Sequence, residues 1–283
     1  MNVFPSQIAG TWYPGDAREL AHAIDGFLDC ADGAPDESLR ALVVPHAGVR
    51  YSGKAAGAGY ARVPRGRFRR VVLLAPSHYH HFEGGAVFTG DGFETPLGTV
   101  AVDPSANELA GAPGFVATAA PYAREHAVEI QLPFLQRIDA ELRLVPVLVG
   151  SEKRLADLTP GLRSLQDDET LFVVSSDFTH YGAAFDYLPF PPSNGVEVAA
   201  HLRELDSGAI EPVCRVDPEA FESYVRTTGI TVCGRAPIGA FLRACPAGLE
   251  GSLVSYYTSL DVTGDFEHSV SYAAIAFRRV SAS

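Results

Sequence analysis

Four short aliphatic runs, at 41–45, 71–75, 142–149 and 171–175, are bounded by breakers and lack strict apolar-polar alternation. Continuous runs of this length read as strands buried on both faces. Amphipathic segments of helical length lie at 16–28, 125–138, 196–205, 218–228 and 237–244. This alternation predicts an α/β fold, a layered sandwich around a central, largely parallel or mixed sheet. The last two apolar runs, 252–259 and 270–277, are separated by the turn-like DVTGDFEH and predict an antiparallel hairpin at the sheet's edge. The turn-rich stretches 84–98 and 187–195 read as surface loops.

The chemistry collects where the strands end. ALVVP runs into His46, VVLLAPS into His78, and LFVVSS into Asp177 and then His180. Ligand sites in open α/β sheets form just beyond the carboxyl ends of strands, and imidazoles with a carboxylate suit a divalent transition metal. A single such histidine reads as a hydrogen-bonded structural residue; the threefold repetition changes that reading. Cys233, in TVCGRAPIG, precedes a helical segment. The helix terminus and Arg235 would favour its thiolate, as a ligand or a nucleophile. Cys30, Cys214 and Cys245 read as small buried hydrophobes. In REHAVEIQLPF, His126 and Glu129 share a helix face but meet neither HExxH nor HxxEH. His126 is a pocket wall or a structural residue, and Glu125 and Glu129 read as helix charges. His80 and His81 could reach the crevice beside His78, whereas His22, His201 and His268 read as structural or exposed.

The composition narrows the field. The 283 residues are 47% hydrophobic and 20% charged, as in folded soluble proteins. A net charge of −12, with lysine only at 54 and 153, disfavours general nucleic-acid binding. The four cysteines form neither a disulfide framework nor a CxxC knuckle. No leader pattern opens the sequence, and no apolar stretch approaches the roughly 20 residues of a membrane span, so the expectation is a cytoplasmic protein without a membrane partner. GxxxxGK[ST], GxGxxG and GxSxG are all absent.

Taken in order, AGTWYPGD at 9–16, PHAGVRYSG at 45–53, APSHYH at 75–80, TPLGTV at 95–100, EHAVEIQLPFL at 125–135, VPVLVG at 145–150, SSDFTHYG at 175–182, CGRAPIGAFL at 233–242 and YYTSLDVTGD near the end resemble the Memo-like family, known in bacteria and archaea as AmmeMemoRadiSam system protein B. The resemblance implies one domain over 1–283, similar to class III, LigB-type extradiol dioxygenases. It places His46, His78, Asp177, His180 and Cys233 in the metal site. His46, His78 and Cys233, with His180 as a fourth, are then the expected ligands, and His180, Asp177 and His126 the expected catalytic groups. The resemblance to these iron enzymes favours Fe(II), with copper possible and zinc less so; the thiolate that would stand where they carry a carboxylate suits Cu(I), Fe(II) or Zn(II), so the metal does not carry over automatically. The expected activity is that of an oxidoreductase on a small aromatic or peptide-derived substrate, with AMMECR1-like and radical SAM proteins as implied partners. The alternatives are a peptide- or phosphopeptide-binding module, in which Arg50, Arg124 or Arg235 receives the anion, and a zinc-dependent hydrolase.

Overall fold

The aliphatic runs become the middle of a sheet because neither of their faces offers a polar position to water. A computed structural model describes residues 2–280. Its first part contains β1 (Val3–Phe4), α1 (Ala17–Asp29), β2 (Leu39–Val44), α2 (Val49–Tyr60) and β3 (Arg70–Pro76). Then follow β4 (Gly85–Val87), β5 (Gly92–Thr95), β6 (Gly98–Ala101), α3 (Ser105–Ala110) and β7 (Phe115–Ala117). The middle contains α4 (His126–Glu129), α5 (Leu132–Ile138), β8 (Arg143–Val149), α6 (Leu155–Ser164) and β9 (Thr170–Ser175). The rest comprises β10 (His180–Tyr181), α7 (Gly195–Cys214), α8 (Pro218–Thr228), α9 (Arg235–Ala244), β11 (Leu249–Thr258), α10 (Ser259–Thr263) and β12 (Ser269–Arg279).

The large sheet is mixed, with strand order β10-β12-β2-β9-β3-β8-β4-β7 and β11 paired to β12. At its centre β2, β9, β3 and β8 run parallel, while β12 and β4 flank them antiparallel. The carboxyl ends of β2, β9 and β3 are therefore adjacent, which brings the residues after Val44, Ser175 and Pro76 to one place. Helices α1, α2, α4 and α5 pack together on one side, and α6, α7, α8 and α9 on the other. The result is an α/β/α sandwich, as the alternation predicts. A small sheet, β1-β5-β6, lies apart. The expected edge hairpin is present as β11 against β12, with α10 set into the connection.

Several local expectations are corrected. The segment 125–138 is two pieces, α4 and then α5 with Pro133 in its first turn, and a 3-10 turn over Ala120–Arg124 precedes them. Pro133 has no N–H to continue the ladder, and its ring disfavours helix just before it. The helix expected at 196–205 continues to Cys214, and the one expected at 237 begins at Arg235. The 84–98 stretch contributes β4 and β5 rather than a loop. Helix α2 was hidden by its glycines, a composition that ordinarily opposes helix. They are required by contact: a Cβ on Gly57 would lie 2.5 Å from the Phe27 carbonyl oxygen. Cys30 is exposed at the end of α1 rather than buried; Cys214 is half-buried and Cys245 buried.

Candidate metal centre

Beyond β2, His46 is 2% exposed. Its backbone N–H donates to Asp177 Oδ1 at 2.8 Å, so the loop after β9 fixes the loop after β2. The ring is fixed by Ser175 Oγ, 2.9 Å from Nδ1. That hydroxyl has one proton, which goes to the Ala127 carbonyl at 2.7 Å, and it also accepts from Gln131 Nε2 at 2.9 Å. Nδ1 of His46 must therefore be the donor, which leaves the Nε2 lone pair directed at Cys233 Sγ, 3.0 Å away. Burial first, then the neighbouring rings of His126, His78 and His180, hold the His46 pKa well below its ordinary value. The ring is neutral and ready to ligate.

His78, beyond β3, is held by a charge. Glu125 accepts from its backbone N–H at 2.7 Å and from Nδ1 at 2.8 Å, and also from the Ala127 N–H at 3.0 Å. Burial raises the Glu125 pKa, but the hydrogen bonds and charge of His78 outweigh it and the net shift is downward. An ionised carboxylate makes Nδ1 the protonated nitrogen, freeing Nε2 of His78. A carboxylate on the far nitrogen of an imidazole ligand fixes its orientation and raises its basicity.

Cys233 approaches from a third direction, ahead of α9. Gly234 permits this: a Cβ there would meet the Ser176 Cβ at 2.3 Å. Cys233 Sγ accepts from the Asp177 N–H at 3.1 Å. The expected low-pKa thiolate is not what the structure gives. Burial first and then the Asp177 charge push the thiol well above its ordinary value, and Arg235 turns to Glu152 at 3.3 Å instead. Cys233 is thus a thiol, and it donates a hydrogen bond to Nε2 of the neutral His46 ring.

His46, His78 and Cys233 each place a donor atom within 4.8 Å of the other two. Asp177, His180 and Cys233 form a second such group, and His78, Glu125 and His126 a third. His180 therefore adjoins Cys233 but does not join His46 and His78 in one group. Its Nδ1 lies 3.0 and 3.1 Å from the carbonyls of Phe178 and Thr231, both acceptors, so its Nε2 also carries the lone pair. Asp177 is 3% exposed and its pKa is raised by burial; its Oδ1 is occupied by the His46 N–H. His126 stacks on His78 at 4.7 Å and packs at a tilt against Trp12 at 4.2 Å, and burial lowers its pKa to about 4.

Ser175, Gln131 and Trp12 were not singled out from the sequence, although all three lie in quoted motifs, and Glu125, read there as a helix charge, is 4% exposed and bonded to His78. Glu129 is also no surface charge: it is 4% exposed and accepts from Ser6 Oγ, the backbone of Gln7 and Ile8, and Tyr13 Oη at 2.6 to 3.2 Å. It ties the chain's first residues to α4 and sets Trp12 against His126. A cavity of about 350 Å³ opens beside His78 and Cys233, with His80, His81, Glu152 and Arg235 on its walls.

These observations define an α/β protein in which two histidines beyond the carboxyl ends of β2 and β3 meet a cysteine ahead of α9, a group that could hold a metal ion. A model of the family described as Memo-like protein matches residues 5–276, and the chain belongs to that family. Protein memo-1 homolog of Caenorhabditis elegans is 33% identical over 280 residues, covering 94% of this chain and 80% of that one. Protein MEMO1 of Xenopus laevis is 32% identical over 281 residues, covering 94% of each. A MEMO1 family protein of Nitrosopumilus maritimus is 30% identical over 283 residues, covering 95% and 98%. Among the described residues no helix is long and apolar enough to cross a membrane.

Proposed function

We propose that this protein holds one redox-capable transition-metal ion on His46, His78 and Cys233 and is an oxidoreductase acting on a small aromatic or peptide-derived molecule bound in the adjoining cavity. One observation carries the reading: Nε2 of His46 lies 3.0 Å from Cys233 Sγ while its Nδ1 is committed to Ser175. Two imidazoles and a soft thiolate fit Fe(II) or copper better than magnesium or calcium. Such an ion supplies electron-transfer chemistry that the cavity's side chains lack.

The chain's own residues divide the remaining work. Ser175 and Glu125 keep both ligand rings in the tautomer with a free Nε2. The proton on Cys233 must leave when the ion binds, so affinity rises with pH. His180, with a free Nε2 beside Cys233, is placed to move a proton to or from a substrate, and Asp177 holds His46 by its backbone. His126 closes one side of the crevice. The phosphopeptide reading has less support, since Arg235 is paired with Glu152 and Arg124 lies over the Tyr79 ring.

Anaerobic reconstitution followed by metal analysis tests the binding: one equivalent of iron or copper is expected, lost in His46→Ala and Cys233→Ser. Retention in both variants contradicts it. Oxygen consumption by the loaded protein with a panel of catechols and phenols tests the oxidoreductase part, and no consumption across the panel contradicts that part alone.

A further inference from the structure

The opposite end of the sheet contains a second cavity, of about 430 Å³, that the metal centre does not use. It lies at the amino ends of β2 and β9. His46 lies six residue steps of extended chain beyond Arg40 on the cavity wall, about 20 Å at 3.3 Å per residue. Its floor is apolar. Phe172 and Phe241 are 4% and 2% exposed and their ring centres are 6.3 Å apart, with Leu249 at the rim.

The charges above this floor are incompletely matched. Arg40 donates through Nη1 to the carbonyls of Leu39 and Glu37 at 2.7 and 3.0 Å. Its Nε is buried and has no hydrogen-bond partner among the described residues. Its Nη2 stands 3.6 Å from Asp168 Oδ1, and Nη1 of Arg279 stands 3.7 Å from the same oxygen. Both separations are too long for hydrogen bonds. Two guanidiniums thus share the 68% exposed carboxylate of Asp168, because the wall's other carboxylate, Asp167, is paired with Arg70 at 2.6 Å. A planar fork of donors over an aromatic floor matches a carboxylate on an apolar body.

We propose that this cavity is a binding site for a small apolar monoanion, its ring or short acyl chain on Phe172 and Phe241 and its carboxylate or sulfonate between Arg40 and Arg279. The site is independent of the metal centre. Its ligand satisfies the donors that Asp168 leaves loosely matched, and the closed apolar floor limits the body to about the size of an aryl or medium-chain acid.

The test uses the fluorescent aromatic sulfonate 1-anilinonaphthalene-8-sulfonate with the full chain. Expected is saturable, one-to-one enhancement, displaced by octanoate but not by equal concentrations of octanol or octylammonium. Arg279→Glu should weaken the probe at least tenfold, Leu249→Trp should block it by filling the rim, and Arg18→Glu, on the exposed start of α1, should leave it unchanged. His46→Ala should also leave it unchanged, which separates this site from the metal centre. Displacement by octanol as effective as by octanoate, or equal probe affinity in Arg279→Glu and wild type, would overturn the proposal. The octanoate and octanol comparison uses wild-type protein and stands even where a variant fails to fold.

Discussion

His46 and His78 are neighbours at the same end of the sheet, yet they are held by different means. His46 is almost wholly buried and rests on a neutral hydroxyl, whereas the His78 side chain is 27% exposed and rests on a buried carboxylate. A neutral partner suffices where packing already fixes the ring. Where the ring borders an open cavity, a charged partner supplies both the orientation and the extra basicity, because hydrogen bonds to ionised groups are roughly twice as strong as neutral ones. In the proposed site His46 is therefore the anchor, and His78 is the ring whose orientation Glu125 sets.

Removing Glu125 should have the larger effect. Glu125→Ala leaves the N–H of His78, its Nδ1 and the N–H of Ala127 without acceptors beside a new hole, and should cost about 3 kcal/mol of stability in urea unfolding. It should also weaken the ion by about 10–100-fold in a competitive titration. Ser175→Ala removes neutral partners only, and about 1–2 kcal/mol with about a tenfold loss of ion affinity is expected. Equal losses in the two variants would erase the distinction.

Shape makes a third difference. Gly234→Ala drives a Cβ against Ser176 and should cost about 1–3 kcal/mol in the same unfolding assay, with ion binding reduced through displacement of Cys233.

A fourth difference is a pH dependence. The native state keeps His126 neutral down to about pH 4 and holds the His46 pKa well below its ordinary value, whereas the unfolded chain takes up both protons near 6.5. The unfolded state then binds more protons, so the metal-free protein should lose stability as pH falls from 6.5 towards 4, and change little from these two groups above 7. Replacing His126 by Phe should flatten the slope by about one proton in urea midpoints measured against pH. An unchanged slope would place the His126 ring outside the buried neutral set.

Much of this was legible from the chain. The four buried strands could be read because an aliphatic run has one physical use, and His46, His78 and Asp177 could be read because each follows such a run. Cys233 was found as a residue, but its protonation was misjudged: helix position suggests a thiolate, whereas the desolvation that reverses it comes from strands far away in sequence. Helix α2 and the break at Pro133 were missed because contact with Phe27 overrides the glycine composition and because proline interrupts an otherwise helical period. Ser175, Gln131 and Glu125 carry no pattern of their own. Their roles come from hydrogen bonds across 44 to 129 residues of sequence, such as Ser175 to His46 and Gln131 to Ser175.

The central claim is that a sulfur and two imidazoles hold one ion. X-ray absorption at the metal edge of anaerobically loaded protein tests it most directly. The account predicts one sulfur neighbour at about 2.3 Å together with imidazole scattering. It also predicts loss of the sulfur contribution in Cys233→Ser and of bound metal in His46→Ala. A wild-type spectrum with only nitrogen and oxygen neighbours, unchanged by Cys233→Ser, would contradict it.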